Sequence, residues 1–142
     1  MNGFQDVIDM FLNLISEVKY LEYDLEELKV ELGIKSKMVL AEARVIKKVK
    51  FNSQEQEFTR GLTDMEALIL AHGLVVNWVS PKIYNYELLE TQIASKDFTI
   101  FSNSGLLGEL RALLEKSESK FYGLVLDYDY DITYLATDED DE

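Results

Sequence analysis

Phe4, Val7, Phe11, Leu14, Val18, Leu21, Leu25, Leu28 and Leu32 follow one another at unbroken intervals of 3 and 4. That is a heptad seam, and it predicts a helix of coiled-coil type over residues 3–32. Ile8 and Ile15 widen the stripe in its first half. Such a seam must be covered, either by the chain's own core or by a neighbouring subunit. Phe11, Val18, Leu25 and Leu32 are the residues expected to carry that packing. Gly33 stands where a left-handed C-terminal cap belongs, and residues 38–50 return to helical spacing. Residues 1–50 therefore read as a long antiparallel helical hairpin.

Residues 51–61 form a polar break, with Ser53 and Gln56 placed to cap a short helical turn. The next start is a capping box, Thr63-Asp64-Met65-Glu66. It opens a helix to about Val79 that is apolar on most sides, which marks a core helix. Gly73 inside it costs about 1 kcal/mol against alanine, so close approach of another helix is its expected use. His72, the one histidine in 142 residues, reads as a packed polar residue. Ser80-Pro81 reads as an N-cap and first helical position, starting a further helix over 81–95. A connector at 97–101 and caps at 102–104 lead into a last helix carrying Leu107, Leu110, Leu114, Phe121 and Leu124, with Ser117 on the seam.

The period then changes. Tyr122, Leu124, Leu126, Tyr128, Tyr130, Ile132 and Tyr134 occupy every second position, with Asp127, Asp129 and Asp131 between them. Alternation of this length predicts an extended arm, sticky on one face and acidic on the other. Tyr128, Tyr130, Ile132 and Tyr134 are its expected docking residues. Residues 136–142 are acidic and expected to lack order. The three aspartates imitate the first positions of a calcium loop. Ile132 stands where that loop turns on glycine, and Asp138 where it ends in a bidentate glutamate, so no metal is expected.

Net charge is −13, which opposes general affinity for nucleic acid. The charge is uneven: residues 1–34 are net −6, 35–50 net +5 and 51–142 net −12. Arg44, Lys47 and Lys48 in the basic stripe are expected to meet an acidic neighbour. There is no cysteine, hence no disulfide or thiolate chemistry. Asp6 and Asp9 stand where a secretory leader would carry bases, and no apolar run reaches membrane-span length. A soluble chain made in the cytosol is expected. No nucleophile elbow, phosphate loop or catalytic triad spacing occurs. A non-catalytic chain with no cofactor is the expectation.

These readings give an all-α chain of about five helices. A single helical domain spans 1–126, with the long hairpin over 1–50 and core helices over 62–126, and an extended, strand-like acidic arm follows over 127–142. Within it, Leu62-Thr63-Asp64-Met65-Glu66, Trp78 before Ser80-Pro81-Lys82, and the block from Phe101-Ser102 through Leu106-Leu107 into Glu109-Leu110-Arg111 form a pattern over about 55 residues. It resembles the small neck proteins of tailed bacteriophages, the head–tail connector or adaptor class. The resemblance implies a virion component whose subunits form a homo-oligomeric ring, often twelve-fold, below the portal protein. It also implies a downstream neck or tail partner, a C-terminal extension reaching into the portal or next ring, and passage of DNA without specific binding. The alternative from charge alone is an acidic imitator of DNA or a regulatory binding protein.

Overall fold

The computed structural model describes residues 1–18, 21–92 and 105–130. Four helices are described, α1 (Phe4–Ile15), α2 (Leu25–Glu42), α3 (Asp64–Gln92) and α4 (Leu106–Tyr130), with a short hairpin of β1 (Phe51–Asn52) and β2 (Glu57–Phe58) between α2 and α3. The α3 helix is the spine: α1, α2 and, most extensively, α4 all pack against it. That position explains why it is apolar nearly all round. Ala67, Ile69, Leu70, Ala71, Leu74, Val75, Trp78 and Val79 are all buried.

Most of the heptad seam is buried or partly buried, but not as one helix. The chain breaks after Ile15 and restarts at Leu25. Broken in two, both halves lie on α3, which is itself 29 residues long. Local polar groups complete the break. The Ser16 amide and hydroxyl both donate to the Asn13 carbonyl, and Asp24 caps α2 by accepting from the Glu27 amide. Phe11, Val18 and Leu32 are buried, whereas Leu25, the first residue of α2, is 43% exposed and does not join the core.

The expected cap at Gly33 is absent too, because α2 runs through it to Glu42. Gly33 is there for space: a β-carbon would stand 2.7 Å from Phe51 Cε1. The predicted second helix over 38–50 is therefore the end of α2 plus a turn. The polar break becomes the hairpin, with Phe51 opposite Phe58. Phe4 joins them in an aromatic triad with ring centroids 4.7–5.7 Å apart. Asn52, not Ser53, shapes the turn by accepting from the amides of Gln54 and Glu55. Glu57 reaches back to accept from the Phe4 amide at the start of α1.

Pro81 does not start a helix; it lies inside α3. A proline there leaves the carbonyl four residues earlier without its amide donor. That carbonyl belongs to Asn77, and Lys35 Nζ on α2 donates to it at 3.1 Å. A neighbouring helix thus supplies the missing hydrogen bond, and the helix continues.

Gly73 has the use expected of it. A β-carbon would stand 2.5 Å from Val39 Cγ1 on α2 and 2.8 Å from Phe121 Cε2 on α4. Three helices meet at this point.

The C-terminal alternation is overruled where it can be seen, since α4 stays helical to Tyr130. At 100° per residue, alternate positions swap sides of a helix. Tyr128 therefore points inward, whereas Tyr122, Leu126 and Tyr130 point out. The 97–104 connector, Ile132, Tyr134 and the acidic end lie outside the described residues.

Candidate functional site

Glu66 is the only acid between Met65 and Val79, and it is buried. An unpaired carboxylate there would be strongly unfavourable. Its neighbours supply four donors for four lone-pair positions. Oε1 accepts from Arg60 Nη1 at 2.9 Å and from the Thr63 amide at 2.9 Å. Oε2 accepts from Arg60 Nη2 at 2.9 Å and from the Tyr128 hydroxyl at 2.7 Å. The Thr63 hydroxyl accepts from the Glu66 amide at 3.2 Å, so the predicted capping box is complete. Arg60 also donates to the carbonyls of Gly61 and Lys47.

Burial alone would push the Glu66 carboxyl up. The Arg60 hydrogen bonds, the Thr63 amide, the Tyr128 hydroxyl and the Arg60 charge outweigh it and hold the group down at about 2. The same geometry acts oppositely on the phenol. Burial first, then its hydrogen bond to a charged acceptor, push Tyr128 up to about 12. The Arg60 guanidinium is held more firmly protonated, chiefly by its bond to Glu66. With every lone pair taken, this carboxylate has no free position from which to accept a substrate proton. Its chemistry is that of a clamp joining the turn after α2, the start of α3 and the end of α4.

Tyr128, expected to dock on a partner, thus docks on its own chain. Tyr130 is exposed on the opposite side of α4. Arg44, Lys47 and Lys48 are exposed in the turn after α2, and none pairs with a carboxylate among the described residues. The clamp had a sequence signal that periodicity alone does not catch. Glu66 is one acid among inward-facing apolar residues, and Arg60 is the only lysine or arginine between Phe51 and Pro81.

His72 is the other buried polar residue of interest. Its Nδ1 has no hydrogen-bond partner among the described residues. Burial, then the charges of Lys120 and Lys116, lower its pKa. No cluster of three or more His, Asp or Glu fit to hold a metal occurs among the described residues. No described helix is long and apolar enough to cross a membrane.

Two apolar stripes are left on the outside. On α2, Val30, Ile34 and Met38 are 50–58% exposed; on α4, Tyr122, Leu126 and Tyr130 are 56–70% exposed. Each set has i, i+4, i+8 spacing, so each covers one helix face for about 12 Å. Two open grooves border α2, and Phe51 lines both. One, of about 460 Å³, is lined by Lys37, Leu40, Ala41, Val49 and Lys50. The other, of about 280 Å³, includes Val30 and Ile34. Contiguous exposed apolar faces on a folded chain commonly mark contact surfaces.

Comparison with protein-family models, curated proteins and solved structures returns no match to this chain.

Proposed function

We propose that this chain is a non-catalytic structural subunit of a phage virion neck. It forms a homo-oligomeric ring that joins the portal of the head to the tail and surrounds the DNA path. The observation that carries the reading is the pair of exposed apolar stripes on α2 and α4. A rigid helical body with two separate sticky faces is suited to holding neighbours. The clamp at Glu66 supports this use by fixing the end of α4, and with it the α4 stripe, to the α3 spine. A net charge of −13 suits a conduit wall, because it repels passing DNA rather than binding it. The resemblance of residues 62–116 to neck proteins supplies the biological setting.

The direct test is native mass spectrometry of the purified chain, alone and with a purified portal ring. The proposal expects a closed homo-oligomer that adds to the portal. A strictly monomeric species that ignores the portal overturns it.

A further inference from the structure

We infer that the α4 stripe of one copy packs on the α2 stripe of the next, a head-to-tail contact between two different surfaces of the same chain. The inference rests on the ring reading and names the faces that build it. Both stripes lie on the side of their helix opposite its buried residues. On α2 the buried set is Leu28, Leu32, Ser36 and Val39; on α4 it is Leu110, Leu113, Ser117 and Phe121. Neither stripe can be covered by α3. The two faces match in length, each spanning about two turns. They also match in kind, aromatic rings on α4 against branched and flexible aliphatic side chains beside open grooves on α2.

Charge selects both the occupant and the direction. The C-terminal end of α2 and the turn after it are basic: Lys37 on the helix and Arg44, Lys47, Lys48 and Lys50 beyond it, against Glu42. Its N-terminal end is acidic, with Glu26, Glu27 and Glu31 against Lys29. On α4, Asp127 and Asp129 make the C-terminal end acidic, while Glu115 and Glu118 are balanced by Lys116 and Lys120. Parallel helices set the acidic end of α4 over the basic end of α2. The balanced part of α4 then lies over the acidic start of α2. The antiparallel arrangement would set acid on acid at one end, so parallel packing is favoured. Parallel α4 on α4 would place like-charged ends together, whereas antiparallel α2 on α2 would set its acidic start over the basic end, and loss of assembly in the Ile34 variant alone marks that self-contact. A contact between unlike faces repeats from copy to copy and closes into a ring when its rotation allows.

The experiment uses two variants of the full chain, Ile34→Glu and Leu126→Glu, at exposed positions, so that the two blocked faces repel one another. Tyr122→Glu and Met38→Glu form a second pair should either of the first melt early by circular dichroism. Light scattering and native mass spectrometry read the species present. The wild type is expected to form assemblies larger than a dimer. Each variant alone is expected to associate at least roughly tenfold more weakly, since a charge now sits against apolar surface. Mixed, the two variants are expected to stop at a heterodimer, because one intact face remains on each partner. Three results overturn the inference: a monomeric wild type, single variants that still assemble, or only one of the two variants losing assembly, which would mean a face pairing with itself. Assembly that follows this pattern but never engages a portal would sink the neck reading and leave the head-to-tail contact standing.

Discussion

Replacing Tyr128 with phenylalanine removes one oxygen from the clamp and leaves the ring in place. Glu66 Oε2 then keeps only Arg60, and a buried charged acceptor loses its 2.7 Å donor. A hydrogen bond to a charged group is worth about 2 kcal/mol. For a chain of this size that corresponds to a melting temperature lower by about 6 °C. Tyr122→Phe is the control, because Tyr122 is exposed and its substitution should stay within about 0.5 kcal/mol. Tyr128 lies in the last turns of α4, so the loss can also appear as local opening. Hydrogen exchange separates the two, and amides at 122–130 should exchange faster in Tyr128→Phe. The reasoning fails if the variant melts with the wild type and those amides keep their protection. In that case the clamp is closed by Arg60 alone.

Acid should weaken the fold in two stages. The Glu66 pKa is lowered from 4.5 to about 2, so its contribution is full above 4.5 and lost as pH falls towards 2. The shift corresponds to about 3 kcal/mol. The lowered His72 pKa means the unfolded chain takes up that proton first, so stability begins to fall already below about 6.5. Melting temperature against pH reads both stages, and Glu66→Gln should flatten the lower one while costing about 3 kcal/mol at pH 7. Gly73→Ala should destabilise by about 1–3 kcal/mol in a denaturant titration, because Val39 and Phe121 leave no room. Gly123→Ala, with nothing within 4 Å, should instead stabilise α4 by about 0.5–1 kcal/mol. Lys35→Met should cost about 1–2 kcal/mol by the same titration and raise exchange around Pro81, since the Asn77 carbonyl loses its donor.

The capping box, the close approach at Gly73 and the core character of α3 were legible because each rests on a local rule. A threonine three residues before a glutamate at a helix start has few other uses. The failures share a cause, which is that tertiary partners reverse local preference. Gly33 reads as a cap until Phe51 is known to need the space. Pro81 reads as a boundary until Lys35 is known to supply its missing bond. The heptad seam marks a stripe that is covered except at Leu25, but periodicity does not report where a helix breaks. In the C-terminal alternation two periods fit at once. Leu110, Leu113, Ser117, Phe121, Leu124 and Tyr128 keep 3–4 spacing, and that phase, not the period of two, set the structure up to Tyr130. The clamp was hidden because its third member lies 62 residues from Glu66. The stripes on α2 and α4 are visible in sequence only once the helix boundaries and inward faces are known.

Glu66 also sets an order of events. Its bonds to Thr63 span three residues and those to Arg60 six, while the bond to Tyr128 spans 62. Going from the shortest of these loops to the longest adds about 2.7 kcal/mol of closure entropy. The carboxylate can therefore be caught at the start of α3 well before α4 arrives to close over it. Removing the Tyr128 hydroxyl should leave the refolding rate nearly unchanged and fall almost wholly on unfolding. Stopped-flow rates plotted against denaturant should show one arm of the chevron shifted and the other in place. In the proposed ring, the lifetime of the closed clamp would set how long a contact through the end of α4 persists.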